Sequence, residues 1–233
     1  MIHVNQVHKS YKNFVALSEI NLSISKGEIY ALLGPNGAGK TTTINLILGF
    51  LEPDSGSITV ADIQPSKNTK EARKKMAYIP ENVSLYPHLS GIENLDYFCK
   101  LAGLQYGKNA LNSFLNQCGL EEEAQSKKVA GYSKGMRQKV GIAIALAKNA
   151  SVLLLDEPAS GLDPSASSEL SSLLKKLAAN GTTILMASHD LFRVRETADR
   201  IGILNKGKLV KELDAKSVSA NDLEGIYLNF MKN

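Results

Sequence analysis

The residues Gly34, Pro35, Asn36, Gly37, Ala38, Gly39, Lys40 and Thr41 fit G-x-x-x-x-G-K-[ST], with Thr42 following as a further candidate for nucleotide contact, between an apolar run and a stretch of helical periodicity. Glycines let a backbone wrap tightly enough for successive N–H groups to point at phosphate oxygens. The helix that follows adds the positive end of its dipole. In this pattern Lys40 reaches the β- and γ-phosphates, and the Thr41 hydroxyl holds Mg²⁺. A second apolar run, Val152-Leu153-Leu154-Leu155, ends in Asp156-Glu157. A parallel strand delivers its last carboxylates to the sheet edge where a phosphate loop also sits. Asp156 is then placed toward Mg²⁺ and Glu157 to accept a proton from an attacking water. Taken alone, two acidic residues before Pro158 suit a capped turn equally well. Beside a phosphate loop, chemistry is the better account.

Other candidates are weaker singly. In Tyr132-Ser133-Lys134-Gly135-Met136-Arg137-Gln138, Ser133 is a good N-cap and Gly135 allows close approach to the backbone. By itself this is a capped helix. His189 reads equally as a satisfied histidine at a strand end, and Tyr11 as an ordinary strand-end aromatic. Ser188-His189-Asp190 is no catalytic triad, because sequence neighbours cannot form the required chain of hydrogen bonds. His3, His8 and His88 have no partners spaced to hold a metal.

The elements that must carry these residues follow from periodicity. Short strands are predicted at Met1–Val7, Asn21–Ser25 and Glu28–Leu33, with a turn at Lys26-Gly27. A helix over Lys40–Phe50, a turn at Pro53–Gly56 and strands at Ser57–Ala61 and Met76–Ile79 come next. Residues from about Gly91 to Gly119 read as helical throughout. Cys99 and Cys118 fall on the apolar faces of that stretch and read as small core residues. After Ser133 the chain alternates: helix Lys134–Lys148, strand Val152–Leu155, a helix opened by Pro164 and ended by Gly181, strand Thr183–Ala187, a helix near Leu191–Ala198 and strand Ile201–Leu204. Repeated β-α-β with unbroken apolar strands means a parallel sheet covered on both faces. Two short strands and a final helix bearing Leu223, Ile226, Tyr227 and Phe230 are expected after Gly207.

Composition bounds the answer. The chain has 233 residues, 43% hydrophobic and 21% charged, ordinary for a globular protein and unlike a disordered, collagenous or coiled-coil chain. A net charge of +4 is too mild to argue for nucleic acid, which needs a clustered basic face. The two cysteines make no ligand pattern and suit a reduced compartment. The longest apolar run, Val140 to Ala147, falls far short of the roughly 18 residues that span a bilayer. The first residues lack the charge and apolar order of a signal peptide, so a cytosolic chain is expected.

Taken in order along the chain, these segments resemble the nucleotide-binding subunit of ABC transporters, and the resemblance extends over essentially the whole sequence. It is similar in Tyr11 (the aromatic that stacks on adenine), Gly34–Thr41 (the phosphate loop), Tyr132–Met136 (the family signature), Asp156-Glu157, Ser160-Gly161-Leu162-Asp163 (the D-loop) and His189 (the switch histidine at the γ-phosphate). The resemblance implies an α/β P-loop NTPase fold with a mostly parallel central sheet, an N-terminal antiparallel β subdomain and a helical insert. It implies one unit over residues 1–233, with residues 1–87 and 151–233 forming the core and β subdomains and about 88–150 the helical subdomain that carries the signature. It further implies ATP and Mg²⁺ as cofactors, and a head-to-tail pair of subunits, a homodimer by expectation. Each ATP would lie between one subunit's phosphate loop and the other's signature, so Ser133 and Gly135 would donate to the partner's γ-phosphate, with Asp163 nearby.

Two departures stand out. Glu81, in Tyr78-Ile79-Pro80-Glu81, occupies the position usually held by the Q-loop glutamine. A carboxylate can ligate Mg²⁺ but cannot donate as an amide does. The signature reads Ser-Lys-Gly-Met where the family has two central glycines and a final glutamine. Both features resemble the branch serving small, separate membrane subunits, the ABC-2-type exporters. The expected function is therefore an ATPase motor on the cytoplasmic face of a membrane, held there by integral permease subunits that contact residues 80–95, with Tyr86 and Leu89 foremost. The alternative is a soluble ABC ATPase acting in assembly. The stretch between Lys40 and Ser133 is too short for the long coiled coil of DNA-repair members, and a metabolic kinase would leave the signature and D-loop without a purpose.

Overall fold

The structure is a computed structural model and describes residues 1–231; the last two residues of the unit expected over 1–233 lie outside the described residues. The chain opens with β1 (Ile2–Tyr11) and β2 (Phe14–Ile24), then β3 (Ile29–Leu33), α1 (Lys40–Ile47), β4 (Ser55–Val60), α2 (Thr69–Lys75) and β5 (Met76–Ile79). Helices α3 (Gly91–Leu101), α4 (Lys108–Gln117), α5 (Glu122–Gln125) and α6 (Lys134–Ala147) follow. The remainder is β6 (Val152–Asp156), α7 (Pro164–Ala179), β7 (Thr183–Ser188), α8 (Leu191–Thr197), β8 (Arg200–Asn205), β9 (Lys208–Asp214) and α9 (Ala220–Met231).

Two sheets result. Strands β2-β1-β4 form an antiparallel sheet, and β5-β6-β7-β3-β8-β9 form the central one, parallel except for the β8–β9 pairing. In the central strands successive residues serve opposite faces. Ile29, Ala31, Leu33, Leu153, Leu155, Ile184 and Met186 pack with the apolar faces of α3, α4, α6 and α7. Tyr30, Leu32, Val152, Leu154, Leu185 and Ala187 pack with Ile44 and Ile47 of α1 and with the antiparallel sheet. That double covering is why these strands are apolar without alternation.

The differences from the sequence expectation have physical causes. β1 and β2 run much farther than predicted, to Tyr11 and from Phe14. Their register slips between Val4 and Val7 and again near Lys9, with Gln6 and Glu19 at φ 47° and 54°, and each bulge breaks the period-2 pattern. α2 was not foreseen: in TKEARKK only Ala72 is buried, so no apolar stripe advertises it. The helical stretch over 91–119 is two helices, broken where Gly103 takes φ 76° after α3. α1 stops at Ile47 rather than Phe50, with Gly49 at φ 66°. After Gly207 one strand forms instead of two.

Both cysteines are buried core residues, as expected. Burial pushes the Cys99 thiol up to about 11 and the Cys118 thiol up to about 12. The thiolate is the reactive species, so the folded protein at pH 8 is expected to react with a thiol reagent at least roughly a hundredfold more slowly than the unfolded chain. Comparable rates, followed by mass spectrometry with and without denaturant, would contradict this burial.

Candidate nucleotide site

The strand order brings the chemistry to one edge. β7 lies between β6 and β3, and the register pairs Asp156 with Ala187 and Leu33 with Ser188. The ends of three strands therefore lie side by side, each followed by its functional loop. Backbone bonds fix the junction: Gly34 N–H donates to the Ser188 carbonyl at 3.2 Å and Glu157 N–H to the Ala187 carbonyl at 2.9 Å. β5, next to β6, delivers Pro80-Glu81 to the same edge.

The phosphate loop depends on its glycines. Gly39, the N-cap of α1, takes φ 109°, and a Cβ there would meet Leu17 Cδ2 at 2.6 Å and the Ala16 carbonyl at 2.8 Å. A Cβ at Gly34 would collide with the Leu204 carbonyl. Lys40 is buried, with Nζ donating to the Gly34 carbonyl at 2.7 Å and the Pro35 carbonyl at 3.2 Å. Its ammonium also lies 3.3 Å from Glu157 Oε1.

Glu157 adopts φ 47°, a left-handed backbone that a non-glycine residue takes only when its surroundings hold it there. Its Oε2 accepts from the His189 backbone N–H at 3.3 Å and lies 2.9 Å from His189 Nδ1. Oε1 is buried and, although Lys40 is close, has no hydrogen-bond donor among the described residues. An acceptor in that condition is suited to a water or another exchangeable ligand. Thr41 Oγ1 donates to Asp156 Oδ2 at 2.9 Å. Burial raises the Asp156 carboxyl above its ordinary range, the Thr41 bond opposes that shift, and the neighbouring Glu157 charge adds to it.

Tyr11, Phe14, Pro35, Asn36, Gly37, Gly39, Lys40, Thr41, Thr42, Glu81, Asp156 and Glu157 line one cleft of about 330 Å³. Ala38 lies buried beneath the loop. Phe14 was missed by sequence reasoning: it is 61% exposed and pairs with Tyr11 across the Lys12-Asn13 turn, so two aromatic rings stand at the cleft mouth. Its signal was present only in its position three residues after Tyr11. Glu81 Oε1 accepts from Ser160 Oγ at 2.9 Å and faces Lys134 Nζ at 3.4 Å. The Ser160 bond, helped by Lys134, holds this carboxyl below its usual range.

Hard oxygen donors suit Mg²⁺, which is commonly held by one or two carboxylates together with substrate phosphates. The donors here are Thr41, Asp156 and Glu81. Among the described residues no group of three or more His, Cys, Asp or Glu side chains forms a metal cage by itself. The donor set fits an ion that arrives with a phosphate ligand.

Ser133, Gly135 and Asp163 do not line that cleft. Ser133 caps α6, its hydroxyl accepting from Met136 N–H at 3.2 Å. Asp163 caps α7, accepting from Ala166 N–H at 2.9 Å. Ser133 and Gly135 instead border a separate and larger cavity, about 600 Å³, between α6 and α7. Tyr132 is anchored beneath them, its hydroxyl donating to the Ala124 carbonyl at 2.6 Å. One chain thus holds a complete phosphate loop and, elsewhere, a helix terminus capped by Ser133 with no acidic residue in its first turn.

Comparison with known proteins agrees with this geometry. The family model described as "ABC transporter" matches residues 17–160. The linearmycin resistance ATP-binding protein LnrL of Bacillus subtilis is 36% identical over 212 residues, 90% of this chain and 68% of that protein. The lantibiotic transport ATP-binding protein SrtF of Streptococcus pyogenes is 34% identical over 229 residues, 98% of this chain and 96% of that protein. Among solved structures, the dimeric ATP-binding cassette MJ0796, in a post-hydrolysis state bound to ADP and Pi, superposes with a TM-score of 0.80 at 30% identity, covering 92% of this chain and 99% of that one. With a phosphate loop, two strand-end carboxylates and a histidine on one sheet edge, and with relatives matched over nearly its whole length, this chain belongs to the ABC transporter family as one of its ATP-binding cassettes.

Proposed function

We propose that two copies of this chain close head to tail around two ATP molecules and that hydrolysis drives a separately encoded membrane subunit, of the exporter type. The observation that carries the reading is the separation of the two half-sites. The phosphate loop and Glu157 face one cleft, while the capped α6 terminus with Ser133 and Gly135 lies outside it. A second copy is the simplest source of the missing half.

Within each cleft, the loop amides and Lys40 bind the β- and γ-phosphates, and Tyr11 with Phe14 stacks on the base. Thr41, Asp156 and Glu81 would hold Mg²⁺, whose charge would offset that of the phosphates. Glu157 takes the proton of the attacking water. His189, held by Glu157, would contact the γ-phosphate, and Asp163 would approach it from the facing copy.

No helix among the described residues is long and apolar enough to cross a membrane, so movement of a solute requires a membrane partner. Tyr86 is the leading contact. It is 48% exposed, its ring packs edge-on against Tyr97 at 4.7 Å, and the buried Asn94 side chain holds its backbone at both ends. Leu89 is half-buried beside it. LnrL and SrtF are named for linearmycin resistance and lantibiotic transport, which supports an antimicrobial compound as cargo. Gentle solubilisation of membranes from the native host, followed by capture of the tagged chain, is expected to bring down an integral membrane protein at matching stoichiometry. Recovery only from the soluble fraction, with cytosolic partners, would favour an assembly ATPase.

A further inference from the structure

Two of the positions at which this sequence departs from its family's pattern, Glu81 and Lys134, touch each other. Lys134 Nζ lies 3.4 Å from Glu81 Oε1, and Ser160 Oγ donates to the same oxygen at 2.9 Å. From the next turn of α6, Gln138 Nε2 donates to the Glu81 backbone carbonyl at 3.3 Å. Every side-chain contact of this carboxylate among the described residues falls on Oε1. Among those residues Oε2 has no hydrogen-bond or ion-pair partner, in a side chain that lines the cleft with Thr41 and Asp156.

Helix stability does not account for Lys134. It stands in the first turn of α6, where a cation opposes the helix dipole, and its side chain is only 27% exposed. Glu81 does account for it, by supplying the negative charge that the first turn lacks. The contact also joins two layers, since Lys134 rides on α6 and Glu81 follows β5 of the central sheet.

We propose that Lys134 is a positioning residue for the ATPase reaction, holding Glu81 Oε1 so that Oε2 is presented to the Mg²⁺ of bound nucleotide. The proposal rests on the reading of Glu81 as a metal ligand. It also gives a route by which displacement of α6 reaches the metal site, because moving Lys134 removes one of the two groups, with Ser160, that hold Oε1.

The test is the Mn²⁺ concentration needed for half-maximal retention of a fluorescent ATP analogue, measured in a Glu157→Gln background so that hydrolysis does not intervene. Lys134→Ala is expected to raise that concentration about two- to fivefold, the size of a partly exposed charge pair, and Lys134→Arg to restore most of it. Glu81→Ala is expected to raise it further. Adding Lys134→Ala to Glu81→Ala is expected to change nothing more, because the lysine acts through the carboxylate. No shift on Lys134→Ala, or the same shift in both backgrounds, overturns the proposal while leaving Glu81 as a ligand. No shift on Glu81→Ala removes the metal role of Glu81 itself, and the proposal with it.

Discussion

Replacing Glu157 by Gln is expected to lower kcat by about a hundred- to ten-thousandfold, the range for loss of a general acid–base group, while ATP still binds. The substitution keeps the shape of the side chain and its contact with His189 but removes the basic oxygen. Oε1 of Glu157 is the atom that matters. It is buried, close to Lys40, and without a hydrogen-bond donor of its own, which is how an acceptor kept for water presents itself. The neighbouring Asp156 already accepts from Thr41 and is taken up by the metal on this reading, so it is a poor substitute base. Single-turnover hydrolysis together with equilibrium nucleotide binding separates the two effects. Hydrolysis within a factor of a few of the parent would place the base elsewhere.

Ser133→Arg is expected to leave ATP binding by the single subunit within about twofold and to abolish ATP-dependent association. Ser133 lies outside the cleft formed by its own phosphate loop, and arginine there adds bulk where a facing nucleotide would sit. The residue is also the α6 N-cap, and losing a cap costs about 1 kcal/mol. Ser133→Ala therefore serves as the control that loses the cap but adds no bulk. If ATP affinity of the single subunit collapses in Ser133→Arg but not in Ser133→Ala, Ser133 belongs to its own cleft, and the two-copy reading is wrong.

Much of this site was legible in the sequence because its parts are local. The phosphate loop declares itself by glycine spacing before Lys40, and Asp156-Glu157 by its place at the end of an apolar strand. Their meeting follows from parallel strands ending on one edge, a rule of topology that periodicity can invoke. What was not legible is whatever depends on register between distant segments. The bulges near Gln6 and Glu19 hid half of the β1–β2 hairpin, and with it Phe14 beside Tyr11. α2 has one buried side chain and no stripe to read. Glu81 and Lys134 were each visible as departures, yet their contact joins residues more than fifty positions apart, and only the packing of α6 beside β5 brings it about.

The central claim, a clamp of two chains around two ATP molecules, is tested most directly by the mass in solution of Glu157→Gln protein, measured by light scattering during size-exclusion chromatography, with and without Mg–ATP. The account predicts a species of about 25.2 kDa without nucleotide and one of twice that mass with it, reverting when Ser133→Arg is added. A single-chain mass under both conditions, with ATP shown to be bound, would contradict it.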